Sequence, residues 1–290
     1  MKILLIGKNG QLGGEIISEA RCFGFEIVGT DRKEVDVTDK FQIRNIINTT
    51  KPDILINATA YNLVGIAESR PGEAIAVNSI AVGNIARACK DNNIKFITYS
   101  TDYVFDGKMG SPYGESDIPN PLQVYGSSKL AGENAVTSYY PDNSFIIRTC
   151  GIFGGLKGSP GKGNFVLSII KEASQPGVLE VSSEQIVNPT YAVDLSKATF
   201  KLLKEKAKPG TYHLASEGYC SWYEFTKEII KLTGIDKEVR PLDRGGFSGG
   251  VYRPKFSALK NTKAKALGVE LPSWQEGLRS YFNYLNYTKP

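Results

Sequence analysis

Two rhythms of apolar residues alternate along residues 1–150. One is the short continuous run, as in Lys2–Ile6, Phe25–Gly29, Asp53–Asn57, Lys95–Ser100 and Phe145–Thr149. Such runs, without polar alternation, predict strands buried on both faces. The other rhythm is helical. Leu12, Ile16 and Ala20 mark one face over Gln11–Arg21, and Phe41, Ile43, Ile46 and Ile47 do so over Phe41–Asn48. Glu73–Asn92 is a long alanine-rich stretch, and Val124–Tyr139 completes the set. Alternating strands and helices predict a parallel sheet with helices on both faces, an α/β fold of the doubly wound, Rossmann type.

Beyond Cys150 the rhythm loosens. Asn164–Ala173, Val193–Lys204 and Ser221–Thr233 have helical spacing, as does Ser273–Tyr287, where Trp274, Tyr281 and Tyr284 read as a core-packing face. Gly154–Gly163 and Asp243–Gly250 are rich in glycine and are expected to be flexible loops. No repeat or low-complexity linker separates the halves. The expected organisation is therefore one domain over 1–150 and a smaller, mixed lobe over 151–290. The lobe packs directly on the first domain and returns some segments to it.

Composition narrows the partners. With 41% hydrophobic and 22% charged residues the chain is an ordinary globular one. No apolar run approaches the ~20 residues of a membrane span, so no membrane partner is expected. The net charge of +5 is dispersed, which argues against nucleic acid and suits an anionic small ligand. Cys22, Cys89, Cys150 and Cys220 form no C-x-x-C pair and read as reduced thiols of a cytoplasm. His213 is the single histidine, and it sits in the apolar, strand-like stretch Thr211–Ala215. It reads as structural, which excludes a histidine-rich metal centre and disfavours a Ser-His-Asp hydrolase; no metal is expected.

The glycines carry the first chemistry. Gly7-Lys8-Asn9-Gly10-Gln11-Leu12-Gly13 is a G-x-x-G-x-x-G pattern between a strand and a helix. Glycine permits the tight turn and the close approach of a pyrophosphate, and the helix N-terminus supplies N–H groups. Asp31, at the end of the second run, stands where an acid accepts ribose hydroxyls. Arg32 and Lys33 follow at once and suit a 2′-phosphate. Asp31 argues for NAD(H) and the cations for NADP(H); both stay open, with NADP(H) slightly preferred. Asp36 and Val37 stand where adenine is contacted. Ala58, Thr59 and Ala60 follow the third run, where small residues leave room for a cofactor.

Tyr125 and Lys129 are four residues apart, one helical turn on a common face. An ammonium beside a phenol is expected to lower the phenol's pKa and make it a usable proton donor. The spacing alone is common; next to a dinucleotide pattern it is informative.

These pieces together resemble the dTDP-4-dehydrorhamnose reductase family of the extended short-chain dehydrogenase/reductase superfamily. The resemblance is carried by Gly7 to Gly13, Asn57 to Ala60, Ser100-Thr101-Asp102-Tyr103-Val104-Phe105-Asp106-Gly107 and Tyr125 to Glu133. Arg148-Thr149, Asn188-Pro189-Thr190, Glu217 to Phe225, Arg253-Pro254 and Leu271 to Trp274 extend it over essentially the whole chain. It implies reduction of the C4 ketone of a nucleotide-linked 6-deoxyhexose, with Thr101, Tyr125 and Lys129 as the catalytic group. Gly7, Asn9, Gly10, Gln11, Leu12, Asp31, Arg32, Asp36, Val37, Ala58, Thr59 and Ala60 would hold the cofactor, together with Tyr125 and Lys129. Thr101, Asp102, Tyr125, Gly151 and Arg253 would meet the sugar nucleotide. Lys162, Lys171 and Arg244 are further candidate phosphate partners.

The resemblance has two departures. Gly65-Ile66 stands where the family usually has an acid and a lysine, and Gly151 where it usually has a substrate-contacting tryptophan. Both leave the sugar's identity open. Two other readings also stay open at this level. One is a reductase or epimerase of another nucleotide sugar. The other is a non-catalytic regulatory subunit resembling the methionine adenosyltransferase β subunit. Assembly as a homodimer is allowed for.

Overall fold

A computed structural model describes residues 1–155, 163–205, 207–248 and 250–286. Its centre is a six-stranded sheet in which every neighbouring pair is parallel. Across the sheet the strands run Gly210–His213, Ser144–Thr149, Lys95–Thr101, Ile54–Asn57, Lys2–Ile6 and Glu26–Thr30. The first five sequence runs are thus the first five strands, within a residue at each end. The sixth comes from the second half of the chain and pairs with Ser144–Thr149.

The sheet order reverses between Lys2–Ile6 and Ile54–Asn57. Loops leaving the carboxyl ends of these two strands open a crevice, the usual ligand site of such sheets. Helices Gln11–Cys22 and Ala192–Lys204 cover one face, around Ile3, Leu5, Ile56 and Phe200. Lys40–Thr50 and Val82–Asp91 cover the other, around Leu4, Ile43, Leu55 and Phe96. Each such fully buried side chain contributes about 1.5–3 kcal/mol relative to exposure. A separate apolar cluster around Phe153, Phe225, Leu278 and Tyr281 organises the C-terminal helices. Among the described residues no helix is long and apolar enough to cross a membrane.

Three expectations change. The long helix over 73–92 is broken into Pro71–Ile75, a π-helical segment Ala76–Ala81, and Val82–Asp91. In the π segment Asn78 is buried; it bonds both backbone groups of Tyr61 (2.8 and 3.0 Å) and the Ser128 hydroxyl (3.0 Å). Gly132 fits against this segment because a Cβ there would stand 2.1 Å from the Asn78 carbonyl oxygen. The stretch 243–250 contains an antiparallel pairing of Phe247–Ser248 with Val251–Tyr252. It is anchored by Glu184, which accepts from the backbone N–H groups of Arg244 and Gly246, a partnership distant in sequence. The last helix is Trp274–Tyr284; Trp274 and Tyr281 are buried, but Tyr284 in its final turn is exposed. Residues 156–162, most of the expected 154–163 loop, and Tyr287 lie outside the described residues.

Candidate active site

The glycine turn is closed against its surroundings. Gly7 has φ +100°, a left-handed conformation that favours glycine, and a Cβ there would lie 3.1 Å from the Ala58 carbonyl. A Cβ on Gly13 would sit 2.0 Å from the Gly7 oxygen, so only glycine lets the helix start this close to the strand. Gly10 caps the Gln11–Cys22 helix without any side chain, and no acid stands in the first turn. The helix N-terminus therefore offers N–H groups and a favourable dipole to an anion. Gln11 Oε1 is buried with no hydrogen-bond partner among the described residues. The glycine turn and the uncapped helix N-terminus fit a pyrophosphate.

The neighbouring polar residues are ordered by one another. Asn9 donates to Asp31 at 2.6 Å, joining the glycine turn to the end of the second strand. Asp31 also accepts from the backbone N–H of Lys33 at 2.8 Å, which holds its carboxyl below the ordinary value. Lys8 pairs with Glu34 at 2.6 Å, and Glu34 accepts from the Asp31 N–H at 2.9 Å. Arg32 and Lys33 are exposed. Asp36 accepts from the Thr38 hydroxyl and N–H, which lower its pKa. Val37 and Leu12 are buried, so Leu12 offers a ligand only its backbone. Ala58 and Thr59 are half-buried beside Gly7, and Ala60 is exposed.

Thr101, Tyr125 and Lys129 converge at the carboxyl end of the adjacent strand. Thr101 ends Lys95–Thr101 and caps the short 3₁₀ turn Asp102–Val104, accepting from the Tyr103 N–H at 3.2 Å. The Val124–Tyr139 helix packs tightly over that turn, since a Cβ on Gly126 would stand 2.1 Å from the Tyr103 carbonyl oxygen. This contact sets the depth at which the next helical turn enters the site. The Thr101 hydroxyl donates to Asp102 Oδ1 at 3.1 Å. Asp102 is buried and also accepts from Ser257 at 2.5 Å. Burial raises its carboxyl above the ordinary value, against the hydrogen bonds of Ser257, the Cys150 thiol and Thr101.

The expected effect of Lys129 on Tyr125 is absent. Lys129 is buried and donates to the Tyr99 carbonyl oxygen at 2.6 Å. Burial pushes the Tyr125 phenol well above its ordinary value, with only the hydrogen bond to Thr101 pulling it down. The same burial lowers Lys129 to about 8. Sequence spacing identifies the shared face correctly, but the ammonium is drawn to a backbone oxygen that no local pattern reveals. His213 is buried, with Nδ1 3.1 Å from the Tyr113 carbonyl oxygen; burial lowers its pKa to about 3 and keeps it neutral.

A cleft of about 340 Å³ lies beside this corner, lined by Phe165, Trp222, Glu184, Arg244, Phe247 and Arg253 among others. Arg253 donates to the Tyr103 hydroxyl at 3.3 Å, and the Tyr103 ring meets that of Tyr125 edge-on at 5.9 Å. Arg253 thus joins cleft and corner. Phe165 and Trp222 lie 4.5 Å apart, centroid to centroid. Lys171 is exposed and does not line the cleft, and Lys162 lies outside the described residues. Gly151 has φ +53°, and a Cβ there would be 3.3 Å from the Trp222 ring. The sequence offers no warning of Glu184, whose carboxyl is held below its ordinary value by a hydrogen bond shared with the Asp243 carboxyl and by the Lys255 ammonium. Its partners are too distant along the chain to form a motif.

Comparison with known proteins agrees with the fold. The family described as RmlD substrate binding domain matches residues 1–287. A spore coat polysaccharide biosynthesis protein of Bacillus subtilis is 32% identical over 97% of this chain and 96% of its own length. The crystal structure of a dTDP-4-dehydrorhamnose reductase from Clostridium acetobutylicum superposes with a TM-score of 0.92 at 36% identity, covering 99% of this chain and 100% of that one. A dTDP-4-dehydrorhamnose reductase from Bacillus anthracis, solved with NADP, gives 0.91 at 33% identity, with 98% and 99% covered. Over nearly its whole length, this chain belongs to the RmlD substrate-binding-domain family.

Proposed function

We propose that this chain reduces the C4 ketone of a dTDP-linked 6-deoxyhexose, converting dTDP-4-dehydro-β-L-rhamnose to dTDP-β-L-rhamnose with a nicotinamide cofactor. The observation that carries this reading is the convergence of Thr101, Tyr125 and Lys129 between a glycine cradle and the Arg253 cleft. The reductase names of its relatives from Clostridium acetobutylicum and Bacillus anthracis support it. The intact triad favours catalysis over a purely regulatory role.

Gly7, Gly10, Gln11 and Leu12 would hold the pyrophosphate through backbone N–H groups, and Asp31 the adenosine ribose. When bound, the reduced nicotinamide supplies a hydride. Tyr125 supplies the proton to the ketone oxygen. Its raised pKa keeps the phenol protonated at neutral pH, which is the form a reduction consumes. Thr101 turns its hydroxyl from Asp102 to the same oxygen and stabilises the charge that grows there. Asp102 then retains Ser257 and Cys150 as donors. Lys129 keeps one hydrogen on Tyr99 and offers others to the nicotinamide ribose.

Residues 1–150 in this reading carry cofactor and chemistry, and 151–290 bind the sugar nucleotide in the cytoplasm. NADPH is preferred slightly over NADH because Arg32 and Lys33 are exposed beside Asp31. The test is turnover of keto-sugar nucleotides with each cofactor separately, the product identified by NMR. Stoichiometric NADPH oxidation with dTDP-4-dehydrorhamnose supports the reading. Turnover without net reductant would instead mark an epimerase. Light scattering reads the proposed homodimer.

A further inference from the structure

A charged pair behind Lys129 plays no part in the proton step. Glu133 lies one helical turn beyond Lys129 on the Val124–Tyr139 helix and is buried. Arg148 grips it through Nε at 3.0 Å and Nη2 at 2.6 Å, and Ser100 donates to the same carboxylate. In the sheet register Arg148 stands between Ser100 and His213, and its guanidinium lies 5.2 Å from the Phe105 ring. A buried pair of this kind adds little net stability, because taking both charges from water offsets their attraction. A dry, immobilised carboxylate does act strongly on a neighbouring ammonium.

The helix of Lys129 itself brings Tyr125 and Glu133. The Lys95–Thr101 strand brings the Tyr99 carbonyl and Ser100, and the turn after it Asp102. The Ser144–Thr149 strand brings Arg148, with His213 beyond it. Glu133, one turn along the same helix, favours the charged form of Lys129 and so opposes the effect of burial.

We infer that Glu133, fixed by Arg148 and Ser100, is a positioning residue that keeps Lys129 charged and seated on the Tyr99 carbonyl. Its consequence for turnover rests on the proposed function; the charge linkage itself does not. The experiment is therefore a titration of the Lys129 side chain by ¹³Cε NMR in the full-length chain without added cofactor, assigned with Lys129→Met. Glu133→Gln should move that titration about 1 to 3 pH units lower. It should also lower the thermal midpoint by leaving Arg148 unpaired. Glu133→Gln/Arg148→Met should regain the thermal midpoint while the Lys129 titration stays below that of the wild type. The basic limb of turnover should move with the titration in both variants. A titration that shifts while turnover keeps its basic limb supports the linkage and shows that turnover does not depend on the Lys129 charge. A titration unmoved in Glu133→Gln overturns the inference, as does a double variant that recovers both stability and the wild-type titration.

Discussion

The proton-donating corner and the cleft beside it draw on very different spans of the chain. Thr101, Tyr125 and Lys129 sit on one strand end and the helix that follows, over a turn that Gly126 lets the helix approach. The cleft gathers Phe165, Glu184, Trp222, Arg244 and Arg253 from separate helices and loops. At the corner Thr101 and Lys129 are buried and Tyr125 is half-buried, and its groups hold one another. The cleft is open, aromatic and charged, and is suited to binding. The contrast teaches that chemistry is encoded locally here and recognition non-locally. It also leads to distinct kinetic signatures.

The largest expected effect is at the corner. Removing the Tyr125 hydroxyl should lower kcat about 100- to 10,000-fold with little change in cofactor affinity. Arg253→Ala should act on the other side of the contrast. It should lower kcat/KM about 10- to 100-fold, mainly through KM, as loss of a charged hydrogen bond does. If it lowered kcat alone, cleft and corner would have to be treated as one unit, joined through Tyr103.

A smaller effect separates the two regions by stability. His213 has a folded pKa near 3 against an ordinary 6.5, so the unfolded chain takes up the proton first as pH falls. Its contribution is complete above about 6.5 and is lost on acidification toward 3. Between pH 7 and pH 5 this costs about 2 kcal/mol, and His213→Asn should remove that slope in urea unfolding. Asp194, raised by burial to about 6, has the opposite slope and is common to both proteins, so the difference isolates His213. Smallest of all, Glu184→Gln should loosen the backbone of Arg244 and Gly246 and raise KM about fivefold, with kcat unchanged.

The same contrast explains what could be read from the sequence. The five early strands, the glycine turn and the Tyr125–Lys129 face rest on periods and spacings of a few residues, and such patterns survive in one dimension. The sixth strand, Gly210–His213, falls in the strand-like stretch Thr211–Ala215, but its place at the sheet edge is set by pairing with Ser144–Thr149, which no local pattern carries. Asn78 interrupts an otherwise regular alanine-rich helix because it must reach Tyr61 and Ser128, which periodicity cannot register. Lys129 shows the limit most clearly. Its spacing from Tyr125 locates it, but burial and the Tyr99 carbonyl decide its electrostatics. Arg253 was legible through its motif, whereas Glu184 and the Phe165–Trp222 pair became visible only in the folded chain.

The central claim is that Tyr125 donates the proton in a ketone reduction. Its most direct test is single-turnover NADPH oxidation by Tyr125→Phe at saturating dTDP-4-dehydrorhamnose, beside a titration of NADPH binding. The account predicts a rate at least about 100-fold below that of the wild type, with NADPH bound equally well. A rate within about twofold of the wild type, with the cofactor bound normally, would contradict it.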